Sequence, residues 1–269
     1  MPVNSEIFRI YRHLFYGSPH NAQFSSGSLP ASRTGAQRSA RVFRITNARA
    51  FQQMNDTKAE SDSASSDAIE LTDLNLRLAQ PDDIPFVAKI VREVSDGIID
   101  YLLSAVPGMS AESILQLAFD KGVGAYSISN VLLFEVRSQT AGLCFAYDAR
   151  QQSVPKLMET FLSAEKVEGL RPLLEAKVEN ALWINTFWVS PAFRGSGLSG
   201  LLMSLAADMA RDRGFSSVAL HCWADNARAL RFYEHAVFAI KGQIPTAPAL
   251  KARHPQGGLL LVKPVAAAA

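Results

Sequence analysis

An apolar run stopped by a proline, then a glycine-rich turn, then a periodic apolar segment constrains this chain more than any other stretch. Trp183 to Val189 is apolar, β-branched and aromatic, with only Asn185 and Thr186 polar. That composition predicts a mostly buried strand. Pro191 ends it, because proline cannot donate to a sheet ladder. Arg194-Gly195-Ser196-Gly197-Leu198-Ser199-Gly200 follows. Leu198, Leu201, Leu202, Leu205, Ala206 and Met209 then recur at helical spacing. Arg211 and Arg213 suit a helix C-terminus, and Gly214 suits a left-handed stop. A glycine turn opening a helix exposes backbone N–H groups that have no intrahelical partner, with the helix dipole behind them. The stretch is therefore either a site for phosphate or pyrophosphate, or a flexible turn rich in small residues.

The following residues narrow the choice. Ser217 to Trp223 (SVALHCW) predicts a second strand, Ala224-Asp225-Asn226 a turn and helix cap, and Ala227 to Phe238 a helix. The whole block, residues 182–238, resembles the GNAT superfamily of N-acetyltransferases. The signature of that superfamily is Arg or Gln, two residues, Gly, one residue, then Gly or Ala. Arg194, Gly197 and Ser199 fall on it, with serine in place of the last small residue. Val189-Ser190-Pro191 is similar to the strand-to-loop exit of the family. Asn226, followed seven residues later by Tyr233, matches its asparagine and tyrosine.

The resemblance implies an α/β fold with a mixed, mostly antiparallel twisted sheet flanked by helices. It implies an acetyltransferase that uses acetyl-CoA as co-substrate and passes the acetyl group directly to an amine. In the family the key strand splays from its neighbour near the cofactor. By that likeness Phe187, Trp188 and Val189 contact pantetheine through the main chain. Gly195, Ser196, Gly197, Leu198, Ser199 and Gly200 hold the pyrophosphate, and Arg194 adds charge at the loop entrance. Tyr233 matches the tyrosine that protonates the departing thiolate, and Asn226 holds the cofactor or caps its helix.

Gly195, Gly197 and Gly200 also spell G-x-G-x-x-G. That fingerprint needs its first glycine directly after a strand and a further series of βα units. Here Ser190 to Arg194 intervene, and too little chain follows Phe238 for a doubly wound sheet. Acetyl transfer is the stronger reading. A non-catalytic acyl-CoA-binding regulatory module and a dinucleotide-binding enzyme are the alternatives.

The rest of the chain is read around this block. Residues 1–53 carry seven arginines, seven serines and a single acid, Glu6. They read as a disordered tail, or as upstream sequence read through from an early start with Met54 as the alternative. An organelle transit peptide is the competing reading. Residues 54–69 are polar and acidic, a solvated leader, so residues 1–70 are expected to be an extension and 71–269 the transferase domain. Leu74, Leu76 and Leu78 alternate with polar or small neighbours and predict a strand. Pro81-Asp82-Asp83 starts a helix with Ile84, Val87, Ala88 and Val91 on one face. Ser95 to Asp120 is largely helical, broken at Pro107-Gly108 and capped again by Ser110. Tyr101, Met109 and Phe119 are either core or acceptor contacts.

Residues 130–137 and 141–147 predict a strand pair joined by a tight connection. Pro155 to Met158 and Leu170 to Leu174 suggest short helices. Ala239 to Gly242 reads as a strand end, His254 lies in a proline-rich loop, and Leu259 to Lys263 closes the sheet. Two cysteines, Cys144 and Cys222, make no disulfide framework or metal spacing. A formal net charge of +2 argues neither for nucleic acid nor for a strongly charged partner, so no nucleic-acid partner is expected, and no apolar run approaches bilayer-spanning length. A cytoplasmic protein without a metal is expected.

Acyl transfer to an amine also needs a base. Some superfamily members place a glutamate five residues before the matched asparagine, and here that position is His221. An imidazole titrating near neutrality can take the proton, or His221 is a satisfied strand histidine. Glu135 and Glu179 are further candidates. Cys222 beside His221 is not one, because neighbours on a strand point to opposite faces. The acceptor, a small-molecule or protein amine, is not legible in the sequence.

Overall fold

The computed structural model describes residues 73–104, 108–153, 163–176 and 178–265. The expected extension over residues 1–70 and the helix expected at 155–158 lie outside these residues, as does the break expected at Pro107. Among the described residues no helix is long and apolar enough to cross a membrane.

Alternation builds the first strand. In β1 (Leu74–Leu78), Leu74 and Leu76 are buried while Asn75 and Arg77 face the other way. A short 3-10 turn at Pro81–Asp83 leads into α1 (Ile84–Val94), which buries Ile84, Val87, Ala88, Ile90 and Val91. Helices α2 (Ile98–Leu103) and α3 (Ala111–Lys121) follow. Ser110 caps α3 through its side-chain oxygen, which accepts from the Ser113 N–H at 3.0 Å. The expected strand pair is β2 (Val131–Val136) and β3 (Gln139–Asp148). Leu170 to Leu174 proves to be the end of a longer helix, α4 (Ala164–Leu174).

The key strand is β4 (Ala181–Val189), followed by a 3-10 turn at Pro191–Phe193 and then α5 (Leu198–Asp212). Gly214, at φ +75°, forms the expected left-handed stop. Next come β5 (Ser217–Trp223), α6 (Ala227–His235), β6 (Ala239–Ile244) and β7 (Gly258–Pro264). The helix after Asn226 ends before Phe238, because Val237 sits at φ +63°.

These strands form one sheet in the order β1-β2-β3-β4-β5-β7-β6. Only β4 and β5 pair in parallel; the other ladders are antiparallel. The last strand, β7, pairs with β5 and leaves β6 at the edge. Two cores cover the two faces. Helices α1 to α4 pack on one face with Trp183, Ala219 and Trp223. Helices α5 and α6 pack on the other with Leu182, Leu220 and Cys222. This mixed, largely antiparallel sheet is the architecture expected, and it lacks the run of parallel strands that a dinucleotide fold requires.

Candidate active site

The site begins where one ladder stops. Strands β4 and β5 are paired from Ala181 and Ser217 to Ile184 and Leu220, and no further. Beyond that point Asn185 to Val189 and His221 to Trp223 edge an opening in the middle of the sheet. A β-bulge sits at the branch: Phe145 pairs with Thr186 and Ala146 with Ile184, so Asn185 is the extra residue. The bulge inverts the facing of the strand. Leu182 and Ile184 point to the α5 side, and after the bulge so do Phe187 and Val189, while Trp188 turns toward α1.

Polar side chains hold the bulge. Thr186, 2% exposed, donates to Asn185 Oδ1 at 3.0 Å. Asn185 Nδ2 donates to the Tyr147 hydroxyl at 3.0 Å, and that hydroxyl donates to Gln152 Oε1 at 2.5 Å. Tyr147 and Gln152 were not among the sequence candidates. Their signal was the polar pair Asn185-Thr186 in an apolar strand, which breaks the period-two pattern as a bulge does.

A cavity of about 210 Å³ fills the opening and reaches both faces of the sheet. From the predicted set it brings together Phe187, His221, Asn226 and Tyr233. Tyr233 stands on the α5/α6 side, half-buried against Phe232 and Phe238 at ring distances of 5.3 and 5.4 Å. Phe232 in turn stacks on Phe187 at 5.6 Å. Burial and the nearby Cys222 and Cys144 raise the Tyr233 phenol above its ordinary pKa, so it stays protonated at neutral pH. Asn226 caps α6, its side-chain oxygen accepting from the Ala229 N–H at 3.1 Å.

His221 lies on the opposite side. It follows the facing of Ala219 and Trp223, and its ring meets Trp223 edge-on at 4.9 Å. Its Nε2 is buried and has no hydrogen-bond partner among the described residues. Burial, helped by His254, pulls the pKa of His221 down to about 4. That lies well below the near-neutral titration expected from the residue type, because desolvation penalises the imidazolium. Cys222 faces the other way, and burial lifts its thiol to about 12, which removes it as a nucleophile.

His254 supports the rim. Its ring stacks on Trp223 at 3.9 Å, Nδ1 faces the Asp225 carboxylate at 3.2 Å, and Nε2 lies 3.1 Å from the Asp96 carbonyl. One 3% exposed side chain thus ties together the α1–α2, β5–α6 and β6–β7 connections.

The glycine loop stands apart from the cavity, at the start of α5. Gly195 and Gly197 have φ of +81° and +85°, which L side chains rarely adopt. A Cβ at Gly195 or Gly200 would meet nothing within 4 Å, so the main chain is open to a ligand. Arg194 Nε donates to the Val189 carbonyl at 3.2 Å and ties the loop entrance to the strand end. Ser196 Oγ donates to the Phe193 carbonyl at 2.6 Å. Trp188 packs on Phe86 at 5.8 Å, outside the cavity.

The remaining candidates fall elsewhere. Glu135 accepts from Arg77 and Asn75, both at 2.7 Å, on the ladder between β1 and β2. Glu179 is exposed in the turn before β4, at the end opposite to the opening. Phe119 is core, Met109 is 43% exposed, and Tyr101 lies under the Lys166 ammonium at 5.1 Å.

Residues 162–237 match the family model described as Acetyltransferase (GNAT) family. An N-acetyltransferase from Staphylococcus aureus Mu50 shares the fold at a TM-score of 0.52, with 20% identity over 70% of this chain and 99% of that one. A second solved acetyltransferase matches at a TM-score of 0.51, with 17% identity over 71% of this chain and 99% of that one. No curated protein sequence matches the chain. The matched segment, which contains the opened strand pair, the glycine loop and the helix that carries Tyr233, is similar to the GNAT acetyltransferase family, and the two solved acetyltransferases share the fold.

Proposed function

We propose that this protein is an acetyl-CoA-dependent N-acetyltransferase that passes the acetyl group directly to an amine. One observation carries the reading: the opening between β4 and β5 exposes a phenol on one face of the sheet and an imidazole on the other. Two reactants entering from opposite faces would meet in it. When bound, acetyl-CoA would supply the activated acetyl thioester. The residues present fit it, since the loop from Gly195 to Gly200 offers open main chain at the positive end of α5. Arg194 adds charge there. Phe187, Trp188 and Val189, which lie on β4 beyond its last pair with β5, border the path from the loop to the opening, and Asn226 stands on the rim beside them.

Tyr233, kept protonated, donates its proton to the leaving sulfur. His221 accepts the proton that the amine nitrogen sheds. A base with a pKa near 4 cannot strip an ammonium at neutral pH, but an amine bonding to carbon becomes strongly acidic, and a weak base then suffices. With Nε2 closed off, Nδ1 is the nitrogen for that role. The buried free thiols suit a reducing compartment, which favours the cytoplasm as the setting.

Calorimetric titration with acetyl-CoA and with NAD tests the proposal. Micromolar binding of acetyl-CoA (about −8 kcal/mol) that Gly200→Trp abolishes is the expected result. Gly200 is the position to fill, because a side chain there meets open space and not the fold. A folded protein that ignores acetyl-CoA, or prefers NAD, removes the proposal. Acetyl-CoA binding without transfer to any amine identifies a binding module.

A further inference from the structure

We infer, resting on the acetyl-transfer reading, that the acceptor is a compact, weakly basic amine on an aromatic or apolar frame, an arylamine in type, which binds uncharged. The acceptor side of the cavity is walled by Val91, Ile98, Leu102, Tyr126, Trp183 and Trp223. Its polar groups are neutral: Ser95, Gln152, Asn185 and Thr186. Among the described residues no aspartate, glutamate, lysine or arginine lines it.

Two acids adjoin lining residues in sequence, and both are turned away. Asp96 pairs with Arg253 and lies 3.6 Å from His254, and Asp225 holds His254 from the other end. An alkylammonium or polyamine entering the cavity would lose its water and gain no counter-charge from the described lining residues, which disfavours its binding. A substrate carboxylate would find no cation among the described lining residues either. Among the described lining residues the one imidazole is His221, whose burial makes it too weak to deprotonate an alkylammonium. An amine that is already neutral at pH 7 avoids both problems, and flat aromatic walls suit a flat ring. The small volume favours a compact one, since sites for drug-sized ligands run to roughly 300 Å³ and more. The transfer balances without a further reactant: the C–N bond forms, the C–S bond breaks, and one proton passes from amine to thiol.

The test compares 4-methylaniline with benzylamine, which contain the same atoms but differ in charge at pH 7, and adds spermidine as a polycation. Thiol release gives kcat/KM for each, and calorimetry follows acetyl-CoA binding in the same preparation. At pH 7 the expected preference for 4-methylaniline over benzylamine is about a hundredfold, the factor that roughly 3 kcal/mol produces. The ratio should fall as rising pH neutralises benzylamine. Ser95→Asp, which puts a carboxylate on the wall, should shift the ratio toward benzylamine. Preference for benzylamine or spermidine at pH 7 overturns the inference and leaves acetyl transfer standing. So does acetyl-CoA binding with no turnover or binding of 4-methylaniline. Loss of acetyl-CoA binding itself removes the underlying reading, and the inference with it.

Discussion

The Nε2 atom of His221 occupies the place that a side chain on Gly258 would take: a Cβ built there would lie 1.8 Å from it. Gly258 is the residue of β7 opposite Trp223, so the absence of its side chain creates the hollow that seats the imidazole. Gly258→Ala should therefore expel the ring from its seat. The expected result is a large loss of kcat/KM with acetyl-CoA affinity retained, and overpacking that costs about 1–3 kcal/mol of stability. A variant with native melting and full turnover would show that the seat does not matter.

Tyr233→Phe keeps the ring packing on Phe232 and Phe238 and removes the proton. Turnover should fall by roughly 10²–10⁴, the usual contribution of a positioned acid, with acetyl-CoA binding nearly unchanged. Because the folded protein holds this phenol above its ordinary pKa, wild-type activity should show no alkaline loss from Tyr233 up to about pH 10. Equal kcat for the two proteins would end the acid assignment.

His221 links stability to acidity. Its folded pKa, about 4, lies below the ordinary value of 6.5, so the unfolded chain binds the proton first as pH falls. The contribution is intact above pH 6.5 and is lost as pH drops toward 4, amounting to at most about 3 kcal/mol. Denaturant unfolding at pH 7 and pH 4.5 should show a smaller acid loss in His221→Leu than in wild type. An identical pH slope in both would mean that the histidine is not desolvated.

His254→Ala removes the stack on Trp223 and the contacts to Asp225 and the Asp96 carbonyl. Destabilisation of about 2–4 kcal/mol is expected, since a buried polar knot and a packed ring vanish together. The rim it supports includes Trp223, so acceptor KM should rise more than acetyl-CoA affinity falls. A change confined to acetyl-CoA binding would contradict this placement.

Much of the architecture could be read from short-range chemistry. Period-two alternation marked β1, an apolar stretch marked β4, and Ser217 to Trp223 was bounded correctly because turn residues flank it on both sides. The loop from Arg194 to Gly200 was legible because left-handed backbone at Gly195 and Gly197 demands glycine, whatever surrounds it. Tyr233 and Asn226 were singled out by the resemblance to the GNAT superfamily, and both line the cavity. Helix α4 was read too short, since a proline at position 172 hid its course and tertiary burial of Val167 and Leu170 carries it.

The amino-acid order by itself thus determined the local elements and the open glycine turn, because each depends on residues a few positions apart. Only the tertiary structure decided what surrounds His221. Its hollow belongs to β7, its apolar walls to α1, α2 and α4, and the acids that might have charged the cavity are bound by Arg253 and His254. Desolvation is a sum over neighbours distant in sequence, and so the pKa of that imidazole was settled by folding.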